Sequence, residues 1–134
     1  MTLHVEVLMP DRSLWSGEAG LVIAKTLDGD IGVMPDHAPL FGILSPGSLV
    51  RVQDVPGNEV SGDVVQIAVR DGFLSVTDNR VSVLASVGEL SSDIDAAAAR
   101  ADLESATEAT GSAADESPEV RYARARLRAT GEQA

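Results

Sequence analysis

VVQIAVRDGFLSVTDNRVSVLA, residues 64–85, alternates runs of β-branched and other apolar residues with pairs of turn-forming residues. The runs predict three strands, over residues 64–70, 72–77 and 80–85. The pairs between them are Asp71-Gly72 and Asp78-Asn79, whose residue types tolerate the positive φ angles of tight hairpin turns. Because short turns join strands that pair antiparallel, the stretch predicts sequential antiparallel pairing.

The same pattern extends over residues 1–90. Further predicted strands cover residues 3–7, 21–26, 31–34, 40–44 and 49–53, so eight or nine strands are expected. Turn signals between them are Asp28-Gly29, Pro46-Gly47 and Pro56-Gly57-Asn58. Short strands with turns about every 8 to 12 residues are typical of a β-sandwich or barrel. In the last strand Leu84 interrupts the alternation of apolar residues with serine, which predicts a strand covered on both faces.

At Ser91 the composition changes from β-branched residues to alanine, acid and arginine. We therefore predict a β domain over residues 1–90 and a helical domain over residues 91–134. Ser92 is the expected N-cap of a first helix, with Asp95 at the third helical position as in a capping box. This helix is expected to run to about Thr110.

A polar loop over residues 111–116 precedes a second helix. Ser117-Pro118 predicts the start of that helix, because proline at the first helical position loses no hydrogen bond. The second helix is expected to end near Gly131. Together the two helices form a predicted hairpin.

The second helix carries an apolar stripe and a cationic stripe. Val120, Ala123 and Leu127 form the apolar one, and Arg121, Arg124 and Arg128 repeat the same spacing on a neighbouring face. The first helix is acidic, so the two helices are oppositely charged. Two interpretations stay open, in which this charge steadies the hairpin or binds a partner.

Composition disfavours several classes of function. The chain lacks cysteine, and its net charge of −11 disfavours nucleic-acid binding. Its four aromatic residues supply no stacking platform for nucleotides or sugars. No run of residues approaches the roughly 18 apolar residues of a membrane-spanning helix, and the first residues lack a signal-peptide pattern. We therefore expect a protein made and kept in the cytoplasm.

Catalytic and metal-binding patterns are also missing from the sequence. His4 and His37 are the imidazoles, and they lack metal-ligand spacing. Asp36 precedes His37, but adjacent loop residues point in different directions and rarely form a proton relay. The glycines of residues 28–32 are followed by neither a lysine nor a helix start, so they indicate a turn rather than a phosphate loop. The sequence therefore predicts an interaction protein without catalytic, metal or cofactor residues.

The segment GDIGVMPDHAPL, residues 29–40, resembles the signature of the epsilon subunit of bacterial F-type ATP synthases. In that family a Gly-acid-apolar-Gly turn leads into Pro-x-His-Ala-Pro-Leu, and every position matches here. Later segments are also similar to the family, and so is the early Trp15-Ser16-Gly17. These later segments are Pro46-Gly47, Gly72-Phe73-Leu74 and residues 79–85.

The resemblance implies an antiparallel β-sandwich of about ten strands followed by a two-helix hairpin. It also implies a non-catalytic rotor subunit of the central stalk, at the cytoplasmic face of the cell membrane. Its expected partners are the gamma subunit, the ring of c subunits and the alpha and beta catalytic subunits. Asp28, Gly29 and Asp30 are expected to face the ring, and His37 to lie near the gamma and ring contacts. The resemblance and the marginal length of the second helix together predict that Arg121, Arg124 and Arg128 restrain ATP hydrolysis.

The sequence departs from the family in the hairpin, where the second helix is also short for the family. Members that sense ATP carry Ile/Leu-Asp-x-x-Arg-Ala at the start of the first helix, and here Ala98 stands where the arginine is expected. Weak or absent ATP binding is therefore expected. Two rival hypotheses are a free-standing ligand-binding β-sandwich, which would need surface aromatic residues, and an enzyme that uses Asp36 and His37.

Overall fold

The computed structural model describes residues 2–53, 64–110 and 118–130. Within these residues eight strands are followed by a short 3-10 turn (Ser91–Asp93) and two helices. The strands are β1 (Leu3–Leu8), β2 (Ser13–Ala19), β3 (Leu21–Thr26), β4 (Gly29–Val33), β5 (Leu40–Ile43), β6 (Ser48–Gln53), β7 (Val64–Thr77) and β8 (Arg80–Leu90), and the helices are α1 (Ala96–Thr110) and α2 (Pro118–Ala129). The predicted mainly-β fold with two C-terminal helices is confirmed. The predicted turn at residues 56–58 and the predicted loop at residues 111–116 lie outside the described residues.

The strands form two layers because β7 and β8 each belong to both. The second half of β7 pairs with β5, and its first half pairs with β6. The first half of β8 pairs with β1, which also pairs with β2. The first layer is therefore β2-β1-β8-β7-β5, and the second is β8-β7-β6-β3-β4. Counting the halves of β7 and β8 separately gives ten strand segments.

The hydrophobic core lies between the layers. Alternate residues of each strand face it, as the period of two in a β-strand requires. Leu3, Val5 and Val7 of β1 are fully buried from the first layer, and Val50 and Val52 of β6 from the second. All five belong to one cluster, which confirms the expected sandwich.

The predicted turn at Asp71-Gly72 is wrong. The strand β7 continues through it, and the register to β8 shifts on both sides of Asp71. A Cβ added to Gly72 would lie 2.2 Å from the carbonyl oxygen of Leu84, so only glycine lets the two backbones approach this closely. The pair forms a β-bulge where both strands pass from one layer to the other.

Two further features of the sheet differ from the sequence prediction. The strand β2 was not predicted, because serine and glycine interrupt its apolar pattern and its edge position leaves much of it exposed. The pairing of β1 with β8 is parallel, because strands so far apart in sequence are not constrained by a short turn. The turn at Asp78-Asn79 is confirmed, with φ angles of 49° and 62°.

The helices begin close to the predicted residues, with one change of cap. Asp95, rather than Ser92, caps α1, since its carboxylate oxygen accepts a hydrogen bond from the backbone N–H of Ala97 at 2.8 Å. Ile94, just before it, is buried and anchors the start of the helix. The helix α2 begins at Pro118 as predicted.

The two helices pack against each other, and α2 packs against β6 and β7 on the outer face of the second layer. A second apolar cluster joins them to the sheet and consists mainly of alanine. It contains Ala68 of β7, Ile94, Ala99 of α1, and Ala125, Leu127 and Ala129 of α2. The predicted stripe of Val120, Ala123 and Leu127 is buried. Because alanine buries little area, this packing alone stabilises the docked hairpin only modestly.

Candidate protein-interaction surfaces

An apolar row crosses the outer face of the first layer. Ile43 pairs with Phe73, Phe73 with Leu84, and Leu84 with Leu8, so the row spans four strands. The side chains of Ile43, Phe73 and Leu84 are 48%, 45% and 46% exposed. Phe41 extends this surface along β5. Its side chain is 66% exposed, and its ring stacks on that of Phe73 with the ring centroids 5.6 Å apart.

We call these five residues, Leu8, Phe41, Ile43, Phe73 and Leu84, the apolar row. Beside them lies a cleft of about 540 Å³ with a mostly apolar surface, lined by four residues of the row together with Met9, Pro10, Asp71, Gly72, Ala85 and Ser86. A contiguous exposed apolar surface of this kind marks a protein-protein interface. Aromatic side chains such as Phe41 and Phe73 supply much of the binding energy at such surfaces.

The sequence prediction missed the apolar row. The prediction that the last strand is covered on both faces is wrong within this chain, because Leu84 is exposed. The relevant signal was present, since Phe73 and Leu74 are adjacent and must point to opposite faces. Which of two apolar faces is covered depends on the layer that packs there, and that is a property of the fold.

The predicted interface residues Asp28, Gly29 and Asp30 lie at the tip of the β3–β4 hairpin. All three are exposed. Thr26 shapes this turn, since its hydroxyl donates to the carbonyl of Gly29 at 2.8 Å and accepts from the N–H of Asp28 at 3.2 Å. Gly29 has a φ of 126°, a conformation that L side chains rarely adopt. The turn is therefore an exposed projection with internal hydrogen bonds.

His37 lies at the other end of β4, in the loop that leads to β5. Its Nδ1 is 2.7 Å from the carbonyl oxygen of Ala38. The neighbouring Asp36 donates its backbone N–H to the side-chain oxygen of Asn79 at 2.6 Å, which ties this loop to the β7–β8 turn. The structure thus brings His37 close to Asn79 and separates it from the Asp28–Asp30 tip by the length of β4. The imidazole nitrogen contacts a backbone carbonyl rather than the Asp36 carboxylate.

A polar network holds the helical hairpin against the sheet. Arg126 of α2 lies 2.8 Å from a carboxylate oxygen of Glu89 on β8 and 2.6 Å from one of Asp102 on α1, with its own side chain only 14% exposed. Tyr122 donates its hydroxyl to Glu89 at 2.9 Å. Arg70 and Glu119 add an exposed ion pair at 3.3 Å. Because Arg126 joins both helices to the sandwich, it is the central residue of this network.

Electrostatics favour the protonation states on which the network depends. Burial, the hydrogen bond to Glu89 and the negative charge of Glu89 raise the pKa of Tyr122 well above its ordinary value, so the hydroxyl remains a donor. Burial lowers the pKa of Arg126, but the hydrogen bond to Asp102 and the charge of Glu89 outweigh it, and the net shift is upward. The sequence prediction singled out Arg121, Arg124 and Arg128 in α2 but not Arg126.

The other three arginines of α2, which are Arg121, Arg124 and Arg128, line a cleft between the helix and the second layer. Arg51 of β6 and Lys25 of β3 line the same cleft. The structure therefore brings the three predicted regulatory residues together with two cations that the sequence prediction did not connect to them. The outward-facing positions 25 and 51 are set by the period of each strand, but their nearness to α2 depends on how the hairpin docks.

Among the residues that the structure describes, no group of three or more His, Asp or Glu side chains is arranged to hold a metal ion. No helix within the described ranges is long and apolar enough to span a membrane.

Ala98 is exposed on the first turn of α1, where its N–H faces the Asp95 carboxylate at 3.3 Å. The described surface thus offers an apolar row, polar loops and a docked helical hairpin.

This combination defines a class of protein, an interaction module in which a β-sandwich carries a docked helical hairpin. The family model for the β-sandwich domain of the ATP synthase delta/epsilon chain matches residues 2–91. The ATP synthase epsilon chain of Thermobifida fusca is 48% identical over 128 residues, which cover 95% of this chain and 90% of that relative. The epsilon chain of Mycolicibacterium vanbaalenii is 42% identical over 130 residues, covering 97% and 96% of the two chains. The chain belongs to the ATP synthase epsilon chain family.

Solved structures agree on the fold. A chain in the Euglena gracilis mitochondrial ATP synthase OSCP/F1/c-ring structure superposes with a TM-score of 0.70 at 17% identity, covering 97% of this chain and 81% of that one. Family membership confirms the resemblance found in the sequence. It also confirms the prediction of a non-catalytic subunit, since the epsilon chain is not the catalytic chain of the synthase.

Proposed function

We propose that the chain is a rotor subunit in the central stalk of a proton-translocating F-type ATP synthase, coupling rotation of the c ring to ATP synthesis. The observation that carries this proposal is the apolar row, found on a chain that belongs to the epsilon family. A subunit that transmits torque needs a permanent, tightly packed interface and no chemistry of its own. Obligate interfaces are more hydrophobic than transient ones, and the apolar row fits that requirement.

The apolar row is the proposed contact with the gamma subunit. It is spread over four paired strands, so its side chains are held by a rigid sheet, and Phe41 and Phe73 are preorganised by stacking on each other. A rigid apolar surface loses little conformational entropy on binding. The partner surface should therefore be apolar and fixed, as expected of another rotor subunit.

The polar tip at Asp28, Gly29 and Asp30 is the proposed contact with the loops of the c ring. Its exposure and its internally hydrogen-bonded turn suit a polar contact that must hold its shape under load. His37 lies at the opposite end of β4 and is proposed to lie near the gamma and ring contacts. In this assembly the chain is peripheral at the cytoplasmic face of the cell membrane and reaches the membrane only through the complex.

Copurification with the gamma subunit tests the proposal. The substitutions Phe41→Ser and Phe73→Ser should together abolish recovery of the chain with gamma, because they remove the two aromatic anchors of the apolar row. Both side chains are exposed, so the isolated chain should still fold, as circular dichroism would verify.

The matched control is Val64→Ser, which removes an exposed apolar side chain from the second layer. This variant should assemble like the unaltered chain. If the double variant also assembles normally, the apolar row is not the gamma contact. If the unaltered chain is not recovered with any ATP synthase subunit, the rotor proposal fails and the free-standing ligand-binding sandwich is the better hypothesis.

A further inference from the structure

The cleft beside the apolar row lies where β7 and β8 bend from the first layer into the second. The register slips at this bend, so Ser86 is an extra residue of β8 without a partner on β7. The bend and the β1–β2 turn, with Met9 and Pro10, enclose a volume of about 540 Å³. A space of this size lies within the range that holds small-molecule ligands, and a long side chain of another protein fits into it.

One charged group lines this cleft among the described residues, the carboxylate of Asp71. Asp71 precedes Phe73 by two residues on β7 and lines the cleft with it, so the carboxylate lies at the edge of the apolar row. The hydroxyl of Ser86 donates to the Asp71 carboxylate, and the bulge residue thereby holds it in place. The described lining contains no cation to balance this charge. The cleft thus combines apolar walls with a single oriented negative charge.

We propose that this cleft receives a long cationic side chain, an arginine or a lysine, from the gamma subunit. Such a side chain has an apolar stem and a charged end. The stem matches the walls formed by Leu8, Phe73 and Leu84, and the charged end pairs with the Asp71 carboxylate. The cleft is continuous with the apolar row, so this assignment rests on the proposed contact between that row and gamma.

Charge complementarity favours this occupant over an apolar or an acidic side chain. A partner that covers the apolar row also covers Asp71, because the row and the carboxylate share one cleft. Burial of a carboxylate without a counter-charge is strongly unfavourable. A cation on gamma removes this penalty, an apolar group leaves it, and a second carboxylate adds repulsion. Asp71 is therefore a specificity residue, which selects among partners that fit the apolar row.

The dissociation rate of the full chain from immobilised gamma subunit tests the proposal. Asp71→Asn removes the charge but keeps the shape of the side chain and an acceptor for Ser86. Its dissociation at low salt should be about tenfold faster or more, and the difference should shrink at high salt. The control Asp93→Asn removes the same charge from the exposed turn before α1 and should leave the rate unchanged. Circular dichroism should show the same fold for both variants.

Photocross-linking in the assembled complex identifies the occupant of the cleft. A photoreactive methionine analogue at position 9, which lines the cleft, should attach to a gamma segment that contains an arginine or a lysine. Replacing that basic residue of gamma by glutamine should speed dissociation of the unaltered chain. It should hardly affect dissociation of Asp71→Asn, because the two charges act as a pair.

Two results would each overturn the proposal. The first is equal dissociation of Asp71→Asn and Asp93→Asn. The second is attachment of residue 9 to a gamma segment without a basic residue, to a second copy of this chain or to a lipid. In both cases, binding of the unaltered chain to gamma leaves the rotor function in place. If the unaltered chain does not bind gamma, the rotor function itself fails, and the assignment of the cleft fails with it.

Discussion

Gly72 shows how one residue type can serve two structures. An Asp-Gly pair between apolar runs is a strong hairpin signal, because glycine readily adopts positive φ angles. In the folded chain the pair instead forms a bulge, and glycine is required because the Leu84 carbonyl leaves no room for a Cβ. The sequence locates the irregularity but not its kind, since the neighbouring backbone that decides between turn and bulge lies on another strand.

Replacing Gly72 by alanine should destabilise the sandwich by about 2 kcal/mol or more, because β7 and β8 must separate to admit the new methyl group. Equilibrium denaturation in urea measures the change in the free energy of unfolding. Gly32→Ala is the matched control, since a Cβ there would meet only a Leu21 methyl carbon at 3.8 Å. Equal stability of the two variants would show that the bulge tolerates a side chain.

At the scale of elements, local patterns predicted the fold well and contacts between elements poorly. Both helices follow from the change in composition at Ser91 and from Pro118, and most strands follow from alternation. The strand β2 was not predicted, and β7 was predicted as two strands. These two errors cancel, so the expected eight or nine strands include the eight that the structure describes. The apolar row and the Arg126 network join residues distant in sequence, and no local periodicity could reveal them.

The two-domain division remains a prediction, and truncation tests it. A chain truncated after Leu90 should keep a single cooperative β-sheet unfolding transition, because the core between the layers takes its buried residues from residues 3–85. Removing the helices exposes Ala68 and Leu49, which bury little area, so the loss of stability should be a few kcal/mol at most. Circular dichroism during thermal unfolding measures it. A non-cooperative transition would mean that the hairpin supplies part of the necessary core.

For the whole molecule, whether the hairpin stays docked on the sandwich depends on the sum of several weak contacts and a few stronger ones. Alanine packing is weak, and the exposed Arg70–Glu119 pair contributes only about 0.2 to 1 kcal/mol. The partly buried contacts of Arg126 are stronger, at roughly 1.5 to 3 kcal/mol for a hydrogen bond to a charged group. A competing site that supplies a few kcal/mol would therefore shift the hairpin away from the sandwich.

This balance leads to a prediction for the assembled synthase. Replacing Arg121, Arg124 and Arg128 together by alanine should raise ATP hydrolysis, with synthesis and assembly nearly unchanged. The substitutions keep helix propensity and remove the cations that would hold an undocked α2 on acidic surfaces of the catalytic subunits. Their removal therefore favours the docked hairpin. Comparing hydrolysis by the variant and unaltered enzymes at low and high salt measures this, and the difference should shrink as salt screens the charges. If hydrolysis does not change at low salt, these arginines do not restrain the enzyme, and the charge of α2 serves only to steady the hairpin.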